Sequence, residues 1–400
     1  MQNVTVSRKR LVDFRLEVYA SFTFRADALF ELVDALLLSP IVRSAVEVSQ
    51  SPIFRRRFAS VYDALANGQI DPAALRQPLV AAEPPEALTV AGDAVYALDT
   101  TIAPREVERV PSARTPGEVG AEQVQRLAAD PTPTQPKAVV VDSHYPVPSF
   151  LRAFVGRAPD VVVLVRLAAN RVLYGPAPPP TGTRGRPAVH GARLVLRAPI
   201  PPHRQETVRL LGQEVRVSAW AQQHLRAVPA LVGLVVRVEF LRADGTPRYK
   251  RPLWLCWSGP QEIILADLVR MYLLRFTIEH FFRFAKQKLG LLVAHLGDIG
   301  PIETWVQVVA LAYGQLLLAR DMVQPTYRPW DPTARQDPNR PLTPGQVLAA
   351  WPIFSRTLAT PATVPRRAGK APGRAPGDQP QPRERHPVAK ARNRRLKAAA

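Results

Sequence analysis

Met271-Tyr-Leu-Leu-Arg-Phe-Thr-Ile-Glu-His-Phe-Phe-Arg-Phe-Ala-Lys-Gln-Lys-Leu-Gly290 reads as one helix. At about 100° per residue, Tyr272, Arg275, Glu279, Arg283 and Lys286 fall within an arc of roughly 80°. Leu273, Leu274, Ile278, Phe281 and Phe284 gather on the other side. A single carboxylate thus stands among cations and a tyrosine, on a helix anchored by Leu and Phe. A solvated face with an ordinary Arg275–Glu279 pair, worth about 0.2–0.5 kcal/mol, looks the same by periodicity alone.

Upstream, two further carboxylates end apolar runs. Ala138-Val-Val-Val-Asp142 follows a Pro-rich stretch and reads as a buried strand with an aspartate at its carboxyl end, the edge where α/β sheets place ligands. Ala94-Val-Tyr-Ala-Leu-Asp99 is a shorter run leading into Thr100 and Thr101. By itself it equally describes a strand end closed by an Asx turn.

Tyrosine, two residues, arginine, three residues, glutamate, six residues, lysine resembles the signature of a large group of insertion-sequence transposases, and Tyr272, Arg275, Glu279 and Lys286 match all four positions. In that group the catalytic domain is ribonuclease-H-like and carries an Asp-Asp-Glu metal triad. The resemblance implies that Asp99, Asp142 and Glu279 are the catalytic and metal-binding residues. The group's first aspartate is followed by Ser or Thr two residues on and then by Arg, which Thr101 and Arg105 match. Tyr272, Arg275, Arg283 and Lys286 are then the expected DNA-binding residues, with Arg275 and Lys286 serving DNA rather than stability.

The implied chemistry suits three carboxylates. Strand cleavage and transfer are in-line displacements at a phosphodiester, for which two divalent ions about 3.5–4 Å apart can activate the attacking oxygen and stabilise the leaving one. Mg2+ prefers oxygen ligands and is usually held by few carboxylates plus substrate phosphates; two Mg2+ ions are expected, with Mn2+ as the substitute. Zinc is not expected, since the chain has one cysteine, Cys256, and seven histidines without ligand spacing.

The 400 residues hold 53 Lys+Arg against 33 Asp+Glu, a net +20, which favours a polyanionic partner. From Pro365 to Ala400 there are eleven Lys and Arg against two acids, in a Pro-, Ala- and Gly-rich setting, so this tail is expected to be disordered. The lone cysteine between Trp254 and Trp257 points to a reducing compartment. No signal peptide and no membrane span are read from the apolar runs. The expected setting is the cytoplasm, associated with the nucleoid. The expected partners are double-stranded DNA, as terminal inverted repeats and target, and a second copy in a homodimer on that DNA.

The expected fold is α/β: a ribonuclease-H-like core interrupted by a mostly β insertion, with a helical amino-terminal region and the basic tail. Residues 1–80 read as helical and, by the resemblance, bind the element's ends; a helical cap on the catalytic domain is the alternative. A helix over Ile53–Asn67 would carry Arg55, Arg56 and Arg57. The core comprises 88–173 and 261–322, with strands Ala138–Val141 and Asp160–Leu167 and helices Glu118–Ala129, Ser149–Val155 and Thr304–Asp321, the last expected to pack on the sheet. The insertion, 174–260, contains strands Ala192–Leu196, Glu206–Leu211, Glu214–Ala219, Val232–Arg242 and Pro252–Trp257, with a turn at Asp244-Gly245. Arg184, Arg186 and His190 within it are either DNA contacts or a solvated basic loop. Segment 323–364 is irregular apart from a helix at Thr343–Trp351, and 365–400 is the tail.

Only 42 residues separate Asp99 from Asp142. The ribonuclease-H-like fold needs two strands and a helix there, and Thr100–Gly117, with three prolines, holds one short strand at Glu106–Val110. The core is therefore expected to be truncated between its first two aspartates. That leaves three readings: a transposase, active or decayed; a non-catalytic DNA-binding remnant occupying element ends; and an RNA-binding or structural basic protein working through its tail.

Overall fold

The structure is a computed structural model that describes residues 2–39, 41–82, 89–100, 114–131, 134–179, 187–294, 296, 298–324 and 341–365. The expected strand at Glu106–Val110, residues Arg184 and Arg186, and nearly all of the tail lie outside the described residues.

Helices dominate the amino-terminal part: α1 (Gln2–Ala20), β1 (Phe22–Phe24), α2 (Ala26–Leu38), α3 (Ala45–Val48), α4 (Ala59–Asn67), β2 (Gln69–Ile70) and α5 (Pro72–Ala81). The sheet region follows with β3 (Thr89–Val90), β4 (Asp93–Leu98), α6 (Pro116–Ala129), β5 (Lys137–Val141), α7 (Pro148–Leu151) and β6 (Val161–Leu167). Next come β7 (Val172–Tyr174), β8 (Arg193–Val195), β9 (Arg204–Leu210), β10 (Gln213–Leu225), β11 (Val228–Phe240) and β12 (Leu253–Trp257). The described chain closes with α8 (Leu265–Leu274), α9 (Phe276–Gln287), α10 (Ile299–Leu318) and α11 (Pro344–Phe354).

The sequence sets several helix starts by capping. Asp71 accepts the N–H groups of Ala73 and Ala74 ahead of α5. Thr115 with Glu118 opens α6, and Thr343 with Gln346 opens α11, each as a reciprocal capping box followed by proline at the first turn.

The sheet runs β3-β4-β5-β6-β12-β11-β10-β7-β8, with β9 also paired to β10. β4, β5 and β6 are parallel; every other pairing is antiparallel. The Val-rich runs of β5 and β6 are covered on both faces, which is why they do not alternate with polar residues. Val140, Val162 and Leu164 pack with Leu265, Leu268 and Met271 of α8. Val139, Val141, Val163 and Val165 pack with Val124 of α6 and Phe150 of α7. The strands of 174–260 do not form a separate layer: β12 pairs with β6, so β7 to β12 extend the same sheet.

A third core joins the amino-terminal helices to the carboxyl-terminal ones. Leu11, Leu29, Leu32 and Val61 pack with Ala285, Leu289, Trp305, Val309, Leu316 and Trp351. Here the structure corrects two expectations. α10 packs in this helical core, not on the sheet: its apolar face was legible, but an apolar stripe does not name its partner. The helix expected over Ile53–Asn67 begins only at Ala59. Arg55 and Arg56 lie before it and turn inward, pairing with the fully buried Glu31 at 2.8 and 2.5 Å. A second buried pair, Arg15–Asp34 at 2.6 Å, ties α1 to α2. Among the described residues no helix is long and apolar enough to cross a membrane.

Candidate active site

Asp99 and Asp142 directly follow β4 and β5. Parallel pairing sets Leu98 opposite Val141, so the two aspartates leave the sheet side by side at its carboxyl edge. Each is locally oriented. The Asp99 carboxylate accepts the Thr100 N–H at 2.8 Å. The Asp142 carboxylate accepts the His144 N–H at 2.8 Å and lies 2.7 Å from His144 Nδ1. Tyr145, buried against Phe150, senses both: burial, and then the charges of Asp99 and Asp142, push its hydroxyl up to about 12. α6 makes room for that ring at Gly120, where a Cβ would stand 3.1 Å from Tyr145 and 3.0 Å from the Phe150 ring.

The segment read as one helix is broken at a single residue. α8 ends at Leu274, α9 begins at Phe276, and Arg275 between them carries short-range bonds: its N–H donates to Tyr272 O at 3.2 Å and its carbonyl accepts from Ile278 at 3.1 Å. These span three residues, so the chain tightens there instead of continuing the α ladder. The polar stripe is therefore not a continuous exposed face. Tyr272 is 1% exposed and belongs to the core between α8 and the sheet. Arg275 is 3% exposed. Arg283 is exposed and Lys286 half-buried, and neither forms an ion pair among the described residues.

Arg275 links the elements. One guanidinium nitrogen donates to Asp99 at 2.9 Å and the other to Glu279 at 2.5 Å. Its plane lies near the rings of Tyr272 and Phe276, 5.5 and 5.2 Å from their centroids. Burial disfavours its charge, but Tyr272, Glu279 and Asp99 outweigh that and hold its pKa above the usual range. Its Nε and the Tyr272 hydroxyl are both buried without a hydrogen-bond partner among the described residues.

The donor set at this edge is all carboxylate oxygen, the chemistry Mg2+ prefers. Asp99 and Asp142 stand together; Glu279 lies on the far side of the Arg275 guanidinium. Among the described residues no group of three His, Cys, Asp or Glu is arranged to hold a metal ion. The pair thus fits the one-or-two-carboxylate manner in which Mg2+ is commonly bound, and the triad as a unit is not assembled. His144, Tyr145 and the bridging role of Arg275 are absent from the sequence reading. An Asp at a strand end is a visible Asx-turn signal, whatever residue stands two positions on, whereas nothing local announces that Arg275 reaches Asp99, 176 residues away.

A family model described as DDE superfamily endonuclease matches residues 106–227. The match includes Asp142 and runs from before α6 to the end of β10; Asp99 and Glu279 lie outside it. It supports a nuclease-type enzyme of the DDE transposase class, a class that acts on DNA and generally uses divalent metals. The α/β architecture with one large mixed sheet is consistent with a nuclease-like fold of that class. A search of curated proteins gives no significant match to the chain.

Proposed function

We propose that this chain is the transposase of an insertion sequence, cleaving the element's ends and joining them to target DNA. The observation that carries the reading is the in-register pair Asp99 and Asp142 at the carboxyl edge, with Arg275 tying Glu279 to Asp99. In this reading Asp99 and Asp142 hold a divalent ion, Mg2+ or Mn2+, and Glu279 completes the site. The ion, when bound, supplies activation of the attacking oxygen and stabilisation of the leaving oxygen. The chain's own groups do the rest. The Asx turn at Asp142 fixes its carboxylate, and Tyr145 stays protonated beneath both aspartates as a neutral wall. Lys286 and Arg283, unpaired on α9, hold phosphates of the terminal repeat. The protein works as a homodimer on duplex DNA, in the cytoplasm and close to the nucleoid, and residues 1–80 contribute to end binding.

A second reading has its own support. The carboxylates do not form a three-ligand group, and the segment between Asp99 and Asp142 is short, so a DNA-binding remnant without catalysis is the alternative. Incubating the full chain with supercoiled plasmid and Mg2+ or Mn2+ separates them. The transposase reading expects nicking that Asp99→Asn, Asp142→Asn and Glu279→Gln each reduce at least 100-fold. Binding without nicking in either metal supports the remnant, and nicking that survives all three substitutions rejects the site.

A further inference from the structure

The connection between β11 and β12, residues 241–252, is placed by the register of the sheet. β12 runs antiparallel to β6, with Trp254 opposite Leu167, and β11 runs antiparallel to β12, with Val238 opposite Leu253. Because β4, β5 and β6 are parallel, this connection leaves the sheet at the same edge as Asp99 and Asp142. It lies two to three strand spacings to the side of β5, roughly 10–14 Å at about 4.8 Å per strand, and farther out along the strands: Val141 is level with Val165, Cys256 and Val235, so Arg248, bonded to Phe240, stands roughly 13 Å beyond Asp142 at about 3.3 Å per residue.

Every residue from Arg242 to Arg251 is exposed. The segment carries four cations, Arg242, Arg248, Lys250 and Arg251, against one acid, Asp244. None of the four forms an ion pair among the described residues, whereas Arg55, Arg56 and Arg275 are all spent on carboxylates. Nor is the segment a slack loop. Asp244 accepts from Thr246 N–H and hydroxyl at 2.9 and 2.6 Å, Gly245 turns at φ 77°, and the Arg248 N–H donates to Phe240 O at 2.7 Å. Thr246 thereby occupies the one acid, and the turn leaves Arg248, Tyr249, Lys250 and Arg251 all exposed, with the Tyr249 ring set edge-on to Phe240. Arg248 lies 5.7 Å from the Tyr249 ring, which is itself 57% exposed.

We propose that this turn is a docking surface for the phosphate backbone of duplex DNA, holding phosphates farther along the duplex than the one at the Asp99–Asp142 edge. Its combined offset from Asp142, roughly 16–19 Å, falls within one turn of duplex, about 34 Å long. Unpaired Arg and Lys with an exposed tyrosine hydroxyl are the groups that contact phosphates and fix register without reading sequence. The inference rests on the DNA reading above.

The test is duplex binding by the full chain across a salt series, in EDTA so that no cleavage intervenes. Three proteins are compared: wild type, the triple variant Arg248→Gln/Lys250→Gln/Arg251→Gln, and a control, Arg126→Gln/Arg157→Gln, whose cations lie at the other edge, in the last turn of α6 ahead of β5 and just before β6. Losing three phosphate contacts lowers the magnitude of the log K against log[salt] slope by about 2–3. The proposal expects that drop in the turn variant and little change in the control. Equal drops in both would mean diffuse attraction and overturn it. An unchanged slope in the turn variant, with wild type still binding, would overturn it and leave the DNA reading standing. Failure of the wild type itself to bind duplex DNA would remove both.

Discussion

Arg275 holds its charge where water does not reach, and its partners differ in kind. Asp99 is 15% exposed and Glu279 40%. Replacing Arg275 by Ala strands Asp99 beside Asp142 without a cation. The cost is on the order of 3 kcal/mol, toward the low end for a broken buried pair because water still reaches Glu279. Urea denaturation should show it as a lowered midpoint. That revises the expectation that Arg275 serves DNA rather than stability. Lys286 keeps that expectation: half-buried and without an ion pair among the described residues, Lys286→Ala should change stability by no more than about 0.5 kcal/mol while weakening duplex binding. Equal stability losses in the two variants would contradict this division. Tyr145 gives a pH signature. Its fold keeps the hydroxyl protonated up to about 12, while an unfolded tyrosine ionises near 10. Between those values the unfolded state binds fewer protons, so stability falls as pH rises, by up to about 1.4 kcal/mol per unit for one group. Tyr145→Phe should flatten that decline, leaving the shares of Tyr19, also raised to about 12 by its hydrogen bond to Asp27, of Cys256, which burial pushes up to about 12, and of Tyr313, which burial also raises. Denaturation midpoints followed into alkaline pH would read it, and identical wild-type and variant slopes would refute it.

Among the elements, α6 sits close on Tyr145 and Phe150 at Gly120. Gly120→Ala adds a methyl where both rings already stand at about 3.1 Å. The expected cost is about 1–3 kcal/mol of overpacking, together with a changed environment for Tyr145 in ultraviolet difference spectra. An undisturbed melting curve would show that α6 can slide to accept it. What the sequence made legible follows the same logic of local against distant causes. β5 and β6 were readable because continuous Val runs of strand length have few other uses. The Asp-Gly turn was readable because Gly245 supplies its positive φ. The expected short strand Glu214–Ala219 is part of a 13-residue strand, β10, that continues through an irregularity near Gln222, which no local pattern marks. The helix break at Arg275 was invisible because arginine is a good helix former and the pull comes from Asp99. The position of both aspartates at strand ends could be read; the guanidinium placed between Asp99 and Glu279 could not.

For the molecule as a whole, charge is the dominant coarse property. The segment Pro365–Ala400 supplies +9 of the net +20. On the proposed transposase function, ending the chain at residue 365 should therefore weaken binding to any duplex by a similar factor and flatten its salt dependence, leaving the proposed preference for element ends over random DNA nearly intact. Titration of both duplexes across salt would measure it; unchanged slopes would mean that the segment makes no phosphate contact.

The single-residue break between α8 and α9 divides allegiance as well as direction. α8 is built into the core of the sheet, whereas α9, through Ala285 and the rings of Phe281 and Phe284, is built into the helical core with Trp305 and Leu316. Asp99 and Asp142 ride on one body and Glu279 on the other, with Arg275 as the coupling between them. The spacing of the third carboxylate from the first two is thus a property of how two layers are seated on each other. A substitution deep among the amino-terminal helices, far from any carboxylate, can detune the site as surely as one beside it.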